Sequence, residues 1–200
     1  MAICSNPFRA GRSKGITLVE VAIGLTISAL VLAVSYSAAQ SGFRRNEITA
    51  NADSIVEIVT AARAAYGQRG LFNQLNTQLA LQSGLFPHQY LRTTQVGNDA
   101  VNSYGAPIAL EAFDVSNSFA YLRFEGVPAD QCMPLVMAVS DIMQGIAVTR
   151  IGVTAKPGSN AEWNVKQHAD HSVLDISALE AACTLYSQSN LHFSFTRGSV

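Results

Sequence analysis

The chain has 200 residues, of which 48% are hydrophobic and only 14% charged, and its formal net charge is -1. Length and apolar content suffice for one domain with a core of its own and perhaps one extra element, which excludes a disordered chain. Near-neutral charge without a basic tract speaks against nucleic-acid binding, and three cysteines are too few for a metal ribbon or a disulfide-dense scaffold.

The charge is unevenly spread. Residues 1–15 carry Arg9, Arg12 and Lys14 and no acid, so this stretch is net +3 and the remainder net -4. From Ile16 to Ala39 the chain reads ITLVEVAIGLTISALVLAVSYSAA, with Glu20 as its one acid or base apart from Tyr36. As a helix this run is about 36 Å long, enough for a bilayer core. The preceding basic residues put the N-terminus in the cytoplasm and the rest of the chain outside. Glu20 does not fit a plain anchor: an acid inside an inserted helix costs about 2.5–3.5 kcal/mol and usually faces a partner. The alternative is that Glu20 lies close enough to the interface to reach polar headgroups.

Beyond the apolar run, Ile48, Ala52, Ile55, Val59, Ala62 and Tyr66 recur at spacings of three and four, while Arg44, Glu47, Asp53, Glu57 and Arg63 populate other faces. The spacing predicts one helix from Ile16 to about Tyr66, near 77 Å long and stopped at Gly67 or Gly70, or else two helices broken near Gly42. Leu75, Leu79 and Leu81 predict a short helix ending at Ser83-Gly84, and Leu85-Phe86-Pro87 an extended exit. Pro107–Phe113 and Phe119–Phe124 read as strands joined by a turn-forming loop at 114–118. Pro128 opens a helix through about Met143, and Gly145–Thr154 reads as a strand followed by a turn at Lys156-Pro157-Gly158-Ser159-Asn160. Ser177-Ala178-Leu179-Glu180 has the pattern of a capping box, and the alternation of Leu191, Phe193 and Phe195 with His192, Ser194 and Thr196 predicts a final, half-buried strand.

Catalytic readings find little support. His168-Ala169-Asp170-His171 has a spacing that can hold a metal, but no third distant ligand accompanies it, and a solvated polar loop is the better reading. There is no nucleophile elbow and no glycine-rich phosphate loop. Trp163 reads either as an exposed binding aromatic or as a partly buried strand residue. No enzyme activity, cofactor or metal site is expected.

Gly15-Ile16-Thr17-Leu18-Val19-Glu20, preceded by Lys14 and followed by the long apolar helix, resembles the type IV prepilin signature. The resemblance implies cleavage by prepilin peptidase between Gly15 and Ile16, N-methylation of Ile16, and a subunit-docking role for Glu20, which would pair with a neighbour's terminal amine. Opposite charges about 4 Å apart attract by roughly 1 kcal/mol in water and about 4 at an effective dielectric near 20, so a desolvated filament core rewards that pair, although desolvation offsets part of the gain. A leader of fifteen residues and a first residue other than Phe point to the type IVb branch, like the toxin-coregulated, bundle-forming and conjugative thin-pilus pilins. The implied fold is α+β: a long N-terminal helix, half membrane-spanning and half amphipathic, packed on a mainly antiparallel sheet.

The implied organisation is a cleaved basic leader (1–15), a transmembrane and polymerisation segment (16–40) and a globular head (41–200). In such pilins one disulfide closes the C-terminal region, here Cys132 with Cys183, and export places both in an oxidising compartment. Free buried cysteines are the alternative; Cys4 would leave with the leader. The function implied is that of a major structural subunit, held in the inner membrane as a precursor and then polymerised into a surface filament. Its partners would be itself, the prepilin peptidase and the inner-membrane assembly machinery, with a host or recipient cell surface as the filament's target for adhesion, aggregation or mating contact. A minor pilin or a type II secretion pseudopilin would share the same N-terminus. A secreted binding protein with a general signal peptide, cut near Ser37-Ala38-Ala39, is a further alternative and predicts a mature start near Gln40.

Overall fold

The computed structural model describes residues 17–67, 72–94, 97–113, 119–153, 162–167 and 173–196. The proposed cleavage site Gly15/Ile16, the turns at 114–118 and 156–160, and His168, Asp170 and His171 lie outside the described residues. The chain divides into two compact units, Met1–Phe43 and Arg44–Val200.

Helix α1 (Leu18–Ala62) runs unbroken through Gly24 and Gly42, so the two-helix alternative is overturned. A Cβ at either glycine would meet nothing within 4 Å, so neither is required by packing. The helix ends in a π-helical turn, Arg63–Gly67, which still carries Tyr66 into the core. In the first unit α1 exposes its apolar side chains all round; Leu18, Leu32 and Phe43 keep 87%, 70% and 73% of their surface. An 18-residue window there reaches a mean hydropathy of 2.2, long and apolar enough to cross a membrane.

In the second unit, Ala52, Ile55, Val59, Ala62 and Tyr66 of the predicted stripe are buried, Ile48 half so, and Ile58 joins them. Each fully buried isoleucine contributes roughly 1.5–3 kcal/mol. Helix α2 (Thr77–Gln82) is capped by Asn76, whose side chain accepts the Leu79 N–H at 2.9 Å, and stops at Ser83-Gly84, with Gly84 at φ 67°. A small hairpin follows, β1 (Leu91–Thr94) with β2 (Gly97–Ala100), which the sequence pattern did not predict. The main sheet comprises β3 (Ile108–Ala112), β4 (Phe119–Pro128), β5 (Gly145–Arg150), β6 (Trp163–Lys166) and β7 (Gln188–Thr196), in the order β3-β4-β7-β5-β6, antiparallel throughout. Helices α3 (Ala129–Val139) and α4 (Ile176–Leu185) contribute Cys132, Leu135, Leu179 and Cys183 to the core shared by α1 and the sheet.

Four local expectations are corrected. Helix α3 ends at Val139 rather than Met143, because the chain turns (Ile142 N–H to Val139 O, 3.2 Å) so that the Gln144 N–H can open the ladder with Ser194 O at 2.8 Å. Strand β5 stops at Arg150, where Gly152 at φ 86° turns the chain. The N-cap of α4 is Asp175 rather than Ser177: its carboxylate accepts the Ala178 N–H at 3.0 Å and the Ser177 hydroxyl at 2.7 Å, which lowers its pKa. Strand β7 is buried on both faces, not one, because it is the central strand: Phe193 pairs with Leu122 on one side and Ile146 on the other. On the far face its His192 ring stacks on Tyr121 at 6.4 Å and its Nε2 meets the Thr149 hydroxyl at 3.0 Å. Burial, then the positive charge of Arg123, push the His192 pKa down to about 4.

Candidate functional site

Thr17 precedes the first turn of α1, and its hydroxyl accepts the Glu20 N–H at 3.3 Å while lying 3.5 Å from Glu20 Oε2, to which it donates. This is one half of a capping box, Thr17-x-x-Glu20, in which the carboxylate returns to the Thr17 hydroxyl, and the acid also faces the positive end of the helix dipole. The Thr17-x-x-Glu20 signal is legible in the sequence, although it sits inside an apolar run where Glu20 stands out first as a misplaced charge. Further along the exposed helix, Thr26, Ser28 and Ser41 return their hydroxyls to the carbonyls of Ala22, Gly24 and Ala38 at 2.8 Å each. Every one of these polar groups is satisfied within its own helix, as an environment without water requires.

Where α1 enters the head, its polar residues turn to other elements. Asn51, 1% exposed, accepts the Tyr90 hydroxyl at 2.8 Å and the Ser103 hydroxyl at 3.0 Å, and donates to the Tyr104 oxygen at 3.0 Å. Tyr104 in turn donates to Gln131 of α3 at 2.6 Å, and Gln131 donates to Glu47 of α1 at 3.0 Å. This chain closes a ring from α1 through the 102–106 loop to α3. Burial pushes the Tyr90 and Tyr104 pKa values up, so both hydroxyls stay protonated and able to donate. Arg44 adds an ion pair with Asp130 at 2.7 Å, on the surface and so worth little by itself. At the other end of the helix Arg63 donates to Thr196 O at 2.9 Å and Ile142 O at 3.0 Å, over the ring of Phe195. Sequence reading missed Asn51, although its spacing of three from Ile48 and four from Ile55 puts it on the buried stripe.

The structure brings Cys132 of α3 and Cys183 of α4 together as a disulfide, Cα to Cα 5.6 Å, across a sequence separation of 51. Around it, the Asp175 N–H bonds Val165 O at 2.8 Å and Lys166 Nζ bonds Ser140 O at 2.7 Å, tying both helices to β6. Trp163 is a half-buried strand residue, not an exposed aromatic. A surface cleft of about 440 Å³ between α2, β2 and β3 includes Asp99, Glu111 and Arg123, and its one hydroxyl, Thr77, is bonded to the backbone of Leu110. Among the described residues no three His, Cys, Asp or Glu side chains converge as metal ligands would.

A capped apolar helix continuing into an antiparallel α+β head is the architecture of a pilin, a filament subunit. The crystal structure of TcpA, a type IV pilin from Vibrio cholerae El Tor biotype, has the same fold: the match covers 76% of this chain and 99% of that one, with a TM-score of 0.51 and 19% identity. Residues 11–36 match the prokaryotic N-terminal methylation motif, and residues 45–196 match the PilS N-terminal family. The chain belongs to the PilS family of pilins. No curated protein sequence matches it significantly. As a type IV pilin with an apolar N-terminal helix, it is membrane-anchored as a precursor and assembled into an extracellular pilus. Pilins of this family and fold are structural subunits rather than enzymes.

Proposed function

We propose that the chain is the major subunit of a type IVb pilus, cut by prepilin peptidase after Gly15, methylated on Ile16, and polymerised through α1. The observation that carries this reading is Glu20: the one charge on α1 before Arg44, in its first turn, held by Thr17 and ion-paired with none of the described residues. A neighbour's terminal amine supplies the missing cation for this acid, the fifth residue of the mature chain. The disulfide-linked α3 and α4 form the part of the head that meets a host or recipient cell surface.

The test is the intact mass and N-terminal sequence of the protein from its native host. A start at Ile16, with one extra methyl and two hydrogens fewer than the reduced chain, is expected. A start near Gln40 would refute the pilus reading. Glu20→Ala should be processed normally yet yield few or no filaments by electron microscopy, and abundant filaments would remove the docking role.

A further inference from the structure

The part of α1 that lies in the head carries six charged residues before the chain leaves the helical turn at Gly67: Arg44, Arg45, Glu47, Asp53, Glu57 and Arg63. Three are engaged within the molecule, Arg44 with Asp130, Glu47 with Gln131, and Arg63 with two carbonyls. The other three, Arg45, Asp53 and Glu57, are exposed and make no side-chain hydrogen bond or ion pair with the described residues. With Thr49 they form one row at four-residue spacing, the ridge along which helices interdigitate. The same exposed face otherwise carries Asn46, Ala50, Val56, Thr60 and Ala64, side chains short enough to let another helix approach closely.

The row is electrically polar: its cation lies at the membrane-proximal end and both acids lie towards the head's interior end. Two copies side by side in register would set like against like. Copies anchored in one membrane share the same polarity, so sliding one along the axis by about 12 to 18 Å, the rise over the eight to twelve residues separating Arg45 from Asp53 and Glu57, sets cation against acid. Such a contact joins two different patches and cannot close on itself, which is the condition for an open fibre.

We propose that the Arg45–Thr49–Asp53–Glu57 ridge is a subunit–subunit docking surface, on which Arg45 of one copy meets Asp53 or Glu57 of an axially shifted second copy. This rests on the filament reading above and adds to it a second electrostatic contact, in the head, independent of Glu20. The full chain is to be expressed in its native host as wild type, as Arg45→Glu, and as the reversed ridge Arg45→Glu/Asp53→Arg/Glu57→Arg. Arg45→Glu should lower sedimentable filament at least about tenfold, since like charges brought together across an interface repel. Processed subunit should stay near the wild-type level, and the reversed ridge should recover filaments. Wild-type yield from Arg45→Glu, no recovery from the reversed ridge, or loss of the membrane subunit itself, as a lipid-headgroup contact of Arg45 would give, overturns the proposal. A readout independent of yield is the pair of double variants Arg45→Cys/Asp53→Cys and Arg45→Cys/Glu57→Cys, one of which should give a ladder of cross-linked copies without reductant; filaments with no ladder from either overturn it too. Absence of filaments from the wild type would instead sink the filament reading.

Discussion

Asn51→Ala removes the polar centre of the junction between α1 and the head while leaving the apolar stripe intact. The amide accepts the Tyr90 hydroxyl at 2.8 Å and contacts Ser103 and Tyr104 at 2.9 to 3.0 Å, and both Asn51 and Tyr90 are buried. Ser103 and Tyr104 are partly exposed, and Tyr104 keeps Gln131 as an acceptor, so their losses are ordinary ones of about 0.5–1.5 kcal/mol. Tyr90 is different, because its buried hydroxyl loses its Asn51 acceptor and keeps beside it only the Ser54 hydroxyl, already engaged with Ala50 O and Gln89, at about 1–3 kcal/mol. The total is about 3 kcal/mol. Guanidinium unfolding of the oxidised full chain in detergent, followed by the fluorescence of Trp163, the only tryptophan, reads it out. With a slope of about 4 kcal/mol per molar, the midpoint should fall by about 0.7 M. Tyr90→Phe in the Asn51→Ala background removes that hydroxyl, so the double variant should be at least about 1 kcal/mol more stable than additivity predicts. A loss below about 0.5 kcal/mol, or strict additivity, would refute the argument that this network is dry and coupled.

Replacing both Cys132 and Cys183 by Ser opens a loop of 51 residues, which the chain-entropy relation values at about 4 kcal/mol; unchanged thermal stability and protease resistance would mean the bridge constrains little. Gly126→Ala should destabilise by about 2 kcal/mol or more, since Gly126 has φ 69° and a Cβ there would sit 2.7 Å from the Ala106 Cβ; a wild-type melting temperature would contradict this. His192 is held neutral, with a folded pKa near 4 against 6.5 unfolded, so its contribution is complete above pH 6.5 and is lost as pH falls from there towards 4. The chain should lose on the order of 2 kcal/mol of stability between pH 7 and 5, and His192→Gln should flatten that slope; equal slopes for the two would show that another group titrates.

The features legible in the sequence are those whose physics repeats with a fixed period. The row from Ile48 to Tyr66 announces a buried helix face, and the strands around Leu110, Leu122 and Phe193 announce themselves by alternation and turn residues. The β1–β2 hairpin is short and polar, Leu91-Arg92-Thr93-Thr94 against Gly97-Asn98-Asp99-Ala100, so its sequence carries no apolar alternation. Strand β7 alternates correctly, yet alternation cannot tell a polar face in water from one covered by Tyr121 and Thr149, so His192 and Ser194 read as exposed. The cap of α4 was misread for a local reason: Asp175 and Ser177 both suit the role, and the carboxylate two residues earlier takes the amide and holds the serine as well.

Hydroxyls in both halves of α1 bond to their own helix, but only the head half also bonds to distant elements, and the difference bears on how a subunit leaves the membrane. In the head, Asn51 and Arg63 bond to distant elements, so that half is committed to one set of neighbours. In the exposed half, Thr26, Ser28 and Ser41 bond to their own helix, and those partners travel with it. Moving this half from lipid into a filament therefore breaks none of these bonds and exchanges one apolar surrounding for another. Glu20 is the exception. Its capping bond to Thr17 also travels with the helix, but its charge is the one quantity on the exposed stretch whose energy depends on what lies across from it. On the docking proposal, the exposed stretch, otherwise indifferent to its surroundings, places its own preference for assembly in Glu20 near its end, while the head half of the helix adds the Arg45 ridge.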